Sequence, residues 1–435
     1  MKATALRVGF ALTLPVALVL GGCAAGDGGS EEITLTVQTD SYALPGFQLV
    51  ADQFEADHPG VTVEFQVLTP DQQSTTNLQT LTSADAPDIA SAPFNTTVFT
   101  EMLAADQFVP LDDVWEEADL EARYGQSLAD AIRPGGQQVG VLFSKVLYGI
   151  AWYNKAMFEE VGIEVPEDHQ IGTMDNLAEM VAKLRAGGYQ PLSIGGSSNY
   201  HLTWILDNLL ATSATADELT NYVTSFDPDV DVTASYTDAA FTDALERIKE
   251  MYDSNTFQDG VLGMDQDAGL ALFAAGQAGM MMGHNQTPAG VANKESDVDM
   301  GFLFLPPINT DVTLPNFYAG NLLEIPKNAQ HPDLAKEFLV LLMSDEMQIA
   351  AIEATGGAFP GVAVDESAIA TAPDSVRELL EFESEYGNVA GWASLVPAKL
   401  GTTDPLIQKL LLGETTAEEI GVELDALLEE IRTDG

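Results

Sequence analysis

Apolar and polar residues alternate along two short segments near the start of the chain, 33–39 and 61–68, as in a strand with one buried face. Between them, apolar residues recur at helical spacing over 47–54, and this spacing returns over 71–82. A third short apolar segment, 87–90, predicts another strand. The order strand, helix, strand, helix, strand predicts a parallel sheet covered by helices.

Strand and helix patterns continue to alternate through most of the 435 residues, a length that suits two or three domains. Extended segments are predicted at 139–152, 191–194, 278–282 and 300–305, and helices at 155–161, 175–186, 237–254, 333–343 and 345–354. Beyond residue 368 the patterns are mainly helical. The sequence therefore predicts an α/β protein, and it shows no internal repeat.

The first residues have the features of an export signal. A short basic start precedes an apolar segment, 8–20, which is shorter than the roughly 20 residues that span a bilayer. The segment ends at Leu20-Gly21-Gly22-Cys23, which resembles a bacterial lipobox. The resemblance implies that residues 1–22 are a lipoprotein signal peptide and that Cys23 is lipidated and becomes the mature N-terminus. An ordinary signal peptide with an incidental cysteine is the alternative.

Residues 23–32 are small, polar and Gly-rich, which predicts a flexible tether. We therefore expect an exported protein held by its lipid on the outer face of the bacterial cytoplasmic membrane, at the cell surface or in the periplasm. Each buried CH₂ of an acyl chain contributes roughly 0.8 kcal/mol, so two or three chains anchor the protein firmly. No transmembrane segment is expected.

Charge and cysteine content narrow the possible functions. The chain has 67 Asp and Glu against 17 Lys and Arg, a formal net charge of -50. A field of this sign repels polyanions, so no nucleic-acid partner is expected. Adaptation of the surface to salt is the favoured explanation of the charge, and a specific cationic partner is the alternative. Cys23 is the only cysteine, which excludes a disulfide framework and a thiolate metal site.

An ordered set of motifs resembles the extracellular solute-binding proteins of ABC importers, in particular the sugar-binding family that includes maltose-binding protein. The most specific is Tyr153-Asn154-Lys155-x-x-Phe158, followed by Gly162 and Pro166. The others are Phe54-Glu55-x-x-His58-Pro59-Gly60-Val61, Ala86-Pro87-Asp88-Ile89, Phe273-x-x-Gly276-x-x-Gly279-Met280, Thr355-Gly356-x-x-x-Pro360 and Gly413-x-x-Thr416-Ala417-Glu418-Glu419. The family usually has Thr-Trp where this chain has Thr173-Met174.

The resemblance implies two α/β lobes, each a mostly parallel sheet flanked by helices, with the ligand held in a cleft between them. The N-terminal lobe is expected to comprise 33–145 plus 322–368, and the C-terminal lobe 146–318 plus 369–435. Such proteins close like a hinge on a carbohydrate, a mono- or oligosaccharide, and a membrane permease recognises the closed form. The resemblance further implies a monomer that is not an enzyme and needs no cofactor or metal.

Sugars present hydroxyls and apolar C–H faces, so aromatic and polar residues at strand ends are the candidates for the ligand site. Those predicted to bind ligand are Asp40, Tyr42, Phe94, Asn95, Asn199, Tyr200, Trp204, His284, Asn285, Tyr318, Asn321 and Trp392. Resemblance to the family supports the pairs 94–95 and 199–200, and it implies that Trp392 stacks on the sugar. At 284 the family often has tryptophan after glycine, and this chain does not, so the resemblance does not carry maltose-like specificity over directly.

Other interpretations remain open at this point. Each aromatic candidate could instead pack in a core, and Trp204 lies among apolar neighbours. A secreted hydrolase lacks support, because Gly-x-Ser-x-Gly and His-Glu-x-x-His are absent, although a carboxylate pair is not excluded by counting. A polyamine site needs several carboxylates, whereas Asp40 is the one acid near the predicted cleft. Glycerol phosphate, peptides and a surface-adhesin role are the remaining alternatives.

Overall fold

A computed structural model describes residues 33–40, 43–68, 70–92, 97–124, 129, 132–133, 136–355, 370 and 373–434. Helices and strands alternate along these ranges, which confirms the predicted α/β class. The described helices include none with the length and apolar content required to cross a membrane.

The strands of the described ranges form two sheets. They are β1 (Ile33–Thr39), β2 (Val61–Val67), β3 (Gly140–Asn154), β4 (Gln190–Ser193), β5 (Ala278–His284), β6 (Met300–Leu303), β7 (Asn316–Glu324) and β8 (Val389–Ala390). The first sheet pairs β1 with β2, and the second has the order β4-β5-β3-β7-β8, with β6 also paired to β3.

Helices cover these sheets and fill the connections between strands. In the first half of the chain they are α1 (Leu44–Asp57), α2 (Pro70–Leu81), α3 (Thr97–Ala104), α4 (Asp112–Glu117), α5 (Leu120–Tyr124), α6 (Lys155–Val161), α7 (Met174–Ala186), α8 (His201–Ser213) and α9 (Ala216–Thr224). In the second half they are α10 (Ala239–Asp253), α11 (Gln266–Ala274), α12 (Thr287–Asn293), α13 (Pro332–Leu342), α14 (Asp345–Thr355), α15 (Asp374–Tyr386), α16 (Trp392–Leu395), α17 (Ala398–Gly401), α18 (Asp404–Leu412) and α19 (Ala417–Asp434).

The first sheet follows the predicted parallel order. β1 and β2 are parallel, in register from Ile33 opposite Val61 onward. The predicted third strand is reduced to two bridges, in which Ile89 pairs with β1 and Ala90 pairs antiparallel with the end of β7. Apolar residues of α1, spaced as predicted, are buried beneath this sheet.

The second sheet is mixed, which differs from the prediction of a mostly parallel sheet. β4 and β5 are parallel, but β3 is antiparallel to β5, β6 and β7. The sequence pattern did not indicate this direction, because a strand buried on both faces lacks the alternation that distinguishes one sheet type from another. The pairing of β3 with β7 shifts register on both sides of Ser144.

Two main hydrophobic cores lie at opposite ends of β3. One contains buried residues from 35–143 and 322–376, and the other from 151–305 and 392–428. β3 contributes to both cores, so a continuous strand joins the two lobes. The lobe limits predicted from the sequence stay predictions, and Val376, which they assign to the C-terminal lobe, packs with the first core.

Candidate functional site

The carboxyl ends of β4 and β5 lie at one edge of the second sheet, because the two strands are parallel neighbours. From β4 the chain continues through a short loop into α8, and β5 ends at His284. The loop lies directly against the start of α11, since a Cβ at Gly195 would collide with the backbone nitrogen of Gln266. Glycine at 195 therefore allows this close approach.

An aromatic cluster, defined as Tyr148, Tyr200, His201, Trp204 and His284, lies at this edge. The Trp204 ring contacts all four others, with centroids 4.9 Å from Tyr148, 5.1 Å from Tyr200, 5.1 Å from His201 and 5.7 Å from His284. Tyr148 and His201 are buried, whereas Trp204 and Tyr200 are partly exposed. The partly exposed rings of Trp204 and Tyr200 are therefore supported by buried aromatic side chains.

Both histidines of the aromatic cluster are neutral, and their protonated nitrogen can be assigned. Nδ1 of His201 accepts from the Gly195 backbone nitrogen at 2.9 Å, and Nδ1 of His284 accepts from the Gln286 backbone nitrogen at 3.2 Å. A backbone N–H can only donate, so each neutral ring carries its proton on Nε2. Burial lowers the pKa of His201 to about 3 and that of His284 to about 4.

A buried carboxyl holds the base of the aromatic cluster in place. The Tyr148 hydroxyl donates to Oδ2 of Asp207 at 2.6 Å, and Oδ1 of Asp207 accepts from the Ala393 backbone nitrogen at 3.1 Å. Burial raises the pKa of Asp207 to about 7, although both hydrogen bonds act to lower it. Gly391 completes the packing, because a Cβ there would overlap the Tyr148 hydroxyl.

Three of the residues predicted from the sequence come together in the aromatic cluster: Tyr200, Trp204 and His284. Asn199 is exposed immediately before Tyr200 in the chain. Asn285 is adjacent, but its side chain is bonded to the backbone of β3. Its Oδ1 accepts from the nitrogen of residue 147 at 3.2 Å, and its Nδ2 donates to the oxygen of residue 145 at 3.1 Å.

Trp392 lies elsewhere, which corrects the expectation that it stacks on the sugar. Its side chain is 2% exposed and packs edge-on against Tyr236 and Phe241, at centroid distances of 5.6 and 5.2 Å. A ring enclosed in this way has no face open to a ligand. The physical reason is that the short helix α16 directs its first residue into the second core.

The remaining candidates lie outside the aromatic cluster or outside the described residues. Asp40 is in the first lobe, where its Oδ1 accepts from the Ala43 backbone nitrogen at 2.9 Å. Tyr318 is half-buried on β7. Tyr42, Phe94, Asn95 and the side chain of Asn321 lie outside the described residues.

Sequence reasoning missed Tyr148, His201, Asp207 and Gln266. Tyr148 lies in a long apolar run, where nothing distinguishes a site residue from a core residue. His201 directly follows two predicted candidates, and this adjacency was the available signal. Gln266 opens a helix whose pattern predicts only its apolar face.

The arrangement suits reversible binding of an uncharged polar molecule. Aromatic faces cover apolar C–H surfaces, while neutral imidazole, phenol and amide groups exchange hydrogen bonds with hydroxyls. The described ranges contain no group of three or more His, Cys, Asp or Glu able to hold a metal ion. Two lobes joined by a continuous strand, with such a site at strand ends, define the class of two-lobed α/β ligand-binding proteins.

The chain belongs to the bacterial extracellular solute-binding protein family, whose model matches residues 41–349, and this confirms the predicted family. An ABC transporter extracellular-binding protein of Pyrococcus horikoshii is 22% identical over 310 residues, which cover 69% of this chain and 65% of that protein. The match thus spans less than two thirds of that relative. The diacetylchitobiose binding protein DasA of Streptomyces coelicolor is 25% identical over 317 residues, 72% of this chain and 67% of that protein.

Solved structures of similar proteins share the fold. A chitin oligosaccharide binding protein superposes with a TM-score of 0.77 at 20% identity, covering 93% of this chain and 100% of that chain. A maltose-bound MalE3 of T. maritima superposes with a TM-score of 0.70 at 18% identity, covering 92% of this chain and 100% of that chain. At these identities the likeness establishes the two-lobed fold.

Proposed function

We propose that this protein is the carbohydrate-binding subunit of an ABC importer. It captures a mono- or oligosaccharide between its lobes and delivers it to a membrane permease, without chemical change to the sugar. Family membership supports this proposal, as do relatives named for binding diacetylchitobiose and chitin oligosaccharide. The observation that carries it is the aromatic cluster, in which the partly exposed Trp204 rests on Tyr148 at the ends of parallel strands.

In this proposal the apolar face of a sugar ring stacks on Trp204, while Tyr200, Asn199 and the nearby amides exchange hydrogen bonds with its hydroxyls. Lobe closure is a population shift, so the sugar must bind the closed state better than the open one. β3 and β7 carry the motion, because both are long strands paired where the two cores meet.

The lipid anchor at Cys23, export to the outer face of the cytoplasmic membrane and a monomeric state are further parts of this proposal. The basic start, the short apolar segment and the lipobox-like Leu20-Gly21-Gly22-Cys23 support the anchor. An anchored binding subunit stays close to its permease, which raises the rate of delivery.

Tryptophan fluorescence provides the test. All four tryptophans are described, and Trp204 is partly exposed whereas Trp115, Trp152 and Trp392 are 3%, 0% and 2% exposed. We expect one sugar from a panel of chitin oligosaccharides, maltose, raffinose, galactose and xylo-oligosaccharides to change the fluorescence. The same sugar should stabilise the protein by about 2.7 kcal/mol at a hundredfold excess over Kd.

Two variants make the test specific. Trp204→Phe should lose the fluorescence change, whereas Trp115→Phe, which alters a buried tryptophan of the first core, should keep it. A thermal shift with a polyamine, a peptide or glycerol phosphate, and none with any sugar, would overturn the carbohydrate proposal.

A further inference from the structure

Gln266, the first residue of α11, lies between two members of the aromatic cluster. Its Oε1 accepts from the Tyr200 hydroxyl on one side, and its Nε2 lies 3.2 Å from Nε2 of His284 on the other. Its backbone nitrogen donates to Oγ of Ser198 at 3.0 Å. Gln266 therefore joins the loop that follows β4 to the end of β5, the two segments that carry the proposed sugar site.

The direction of these hydrogen bonds follows from the His284 tautomer. Nδ1 of His284 accepts from the Gln286 backbone nitrogen, so Nε2 carries the proton and faces Gln266 as a donor. With the amide nitrogen of Gln266 facing Nε2 of His284, two N–H donors would point at each other and no hydrogen bond could form. Gln266 must therefore present its Oε1 to His284, since the two ends of an amide are assigned from the hydrogen bonds around them.

The same assignment fixes the role of Tyr200. This turn of the amide by 180° places Nε2 of Gln266 against Tyr200, so that Nε2 donates to the hydroxyl oxygen instead of Oε1 accepting from the hydroxyl. Tyr200 is thus the acceptor toward Gln266, and its own proton is directed to the other side of the hydroxyl.

We propose that Gln266 is a positioning residue of the sugar site, which orients the Tyr200 hydroxyl so that Tyr200 acts as a donor toward the ligand. The ligand group that fits is an acceptor oxygen, such as a ring, glycosidic or acetamido carbonyl oxygen. This inference rests on the proposed function.

A glutamate at position 266 tests the proposal, because it should make sugar affinity depend on pH. A purely structural role of Gln266 in packing would not produce that pH dependence. When ionised, the carboxyl of Gln266→Glu accepts from both His284 and Tyr200, so Tyr200 must donate to it and no longer to the sugar. When protonated, it resembles the amide, because its O–H donates to Tyr200 and its other oxygen accepts from His284. Affinity in this variant should therefore depend on pH.

The titratable groups around Gln266 do not by themselves make sugar affinity depend on pH in the range of the experiment. Tyr200 faces it from the loop, with His201 packed behind Tyr200, and His284 faces it from β5. Asp265, the N-cap of α11, and Asp267, on α11, are exposed. Both histidines stay neutral from pH 5 to pH 7.5, because burial lowers the pKa of His201 to about 3 and that of His284 to about 4.

The experiment measures Kd between pH 5 and pH 7.5 for the wild type, Gln266→Glu and Gln266→Met, the last being of similar size without strong hydrogen-bonding groups. Diacetylchitobiose is the first probe, replaced by whichever panel sugar gives the largest thermal shift. We expect little pH dependence for the wild type and about fivefold weaker binding for Gln266→Met at every pH. Gln266→Glu should weaken progressively as pH rises, to about tenfold at pH 7.5.

Nitrogen-15 NMR of the unliganded wild type should show the Nε2-protonated tautomer of His284. A proton on Nδ1 overturns the assignment, and so does wild-type affinity in Gln266→Met or a wild-type pH profile in Gln266→Glu. If the wild type binds no sugar at all, the proposed function fails, and the tautomer measurement alone decides the orientation of Gln266.

Discussion

Replacement of Trp392 by alanine is expected to cost stability and to leave sugar affinity nearly unchanged, whereas Trp204→Ala should do the reverse. Trp392 is 2% exposed and packs against Tyr236 and Phe241. Truncation of a buried tryptophan to alanine costs about 3–5 kcal/mol, through lost burial and the cavity left behind. For a lobe of 150–250 residues this lowers Tm by roughly 6–20 °C, at about 2–4 °C per kcal/mol.

Trp204 is partly exposed, so its truncation removes less buried surface and more of the surface offered to ligand. We expect at least a tenfold loss of affinity, about 1.4 kcal/mol, with a smaller loss of stability than for Trp392→Ala. Urea unfolding gives the stability of each variant, and isothermal titration with the best panel sugar gives the affinity.

Each variant is the control for the other, because both remove an indole from the same lobe. A tenfold loss of affinity in Trp392→Ala with an unchanged free energy of unfolding would refute the placement of Trp392 in the core. Unchanged affinity in Trp204→Ala would remove Trp204 from the sugar site.

Three further predictions concern the surroundings of the site and the anchor. Gly391→Ala should lower Tm by several degrees, because the added Cβ displaces the Tyr148 hydroxyl; calorimetry measures the shift, and an unchanged Tm contradicts the packing. Burial raises the pKa of Asp207 to about 7 from 3.8, so the unfolded chain loses this proton first and wild-type stability falls as pH rises from about 4 to 7. Relative to the wild type, Asp207→Asn should therefore gain stability with rising pH in urea unfolding, by up to about 1.4 kcal/mol per pH unit, and a constant difference would contradict the buried carboxyl. Cys23→Ala should release the protein from the membrane fraction, detected by immunoblot, whereas equal retention would exclude the lipid anchor.

The overall class was accessible from the sequence because hydrophobic periodicity reports the local element directly. α1 and β1 were predicted within a few residues of their observed bounds. The direction of β3 was not accessible, since strand pairing is a long-range property and this strand is buried along its length. The third strand, 87–90, was reduced to bridges for a similar reason, as its pairing depends on β7, far along the chain.

The site was predicted in part, and the misplaced residues show why. Trp204 and Trp392 both occur near predicted loop–helix junctions with apolar neighbours, so local pattern does not tell which indole turns toward solvent. Asn285 follows a strand, as ligand residues often do, yet its amide is used by the β3 backbone. The proposed role of Gln266 depends on the tautomer of His284. That tautomer is set by the hydrogen bond from the Gln286 backbone nitrogen to Nδ1 of His284, which cannot be inferred from the sequence.

The two register shifts between β3 and β7 compensate each other. Leu142 pairs with Leu322 before them and Val146 pairs with Tyr318 after them, so each strand has advanced by four residues. Bulges of this kind bend a strand and increase its twist. Because the second shift cancels the first, the side chains on both sides of this segment keep the faces of the sheet that an uninterrupted pairing would give them. The strand pair can therefore bend here without a change of register elsewhere. A hinge motion in this segment would therefore leave each flanking side chain in its own lobe, so that the packing of both cores stays intact when the lobes move.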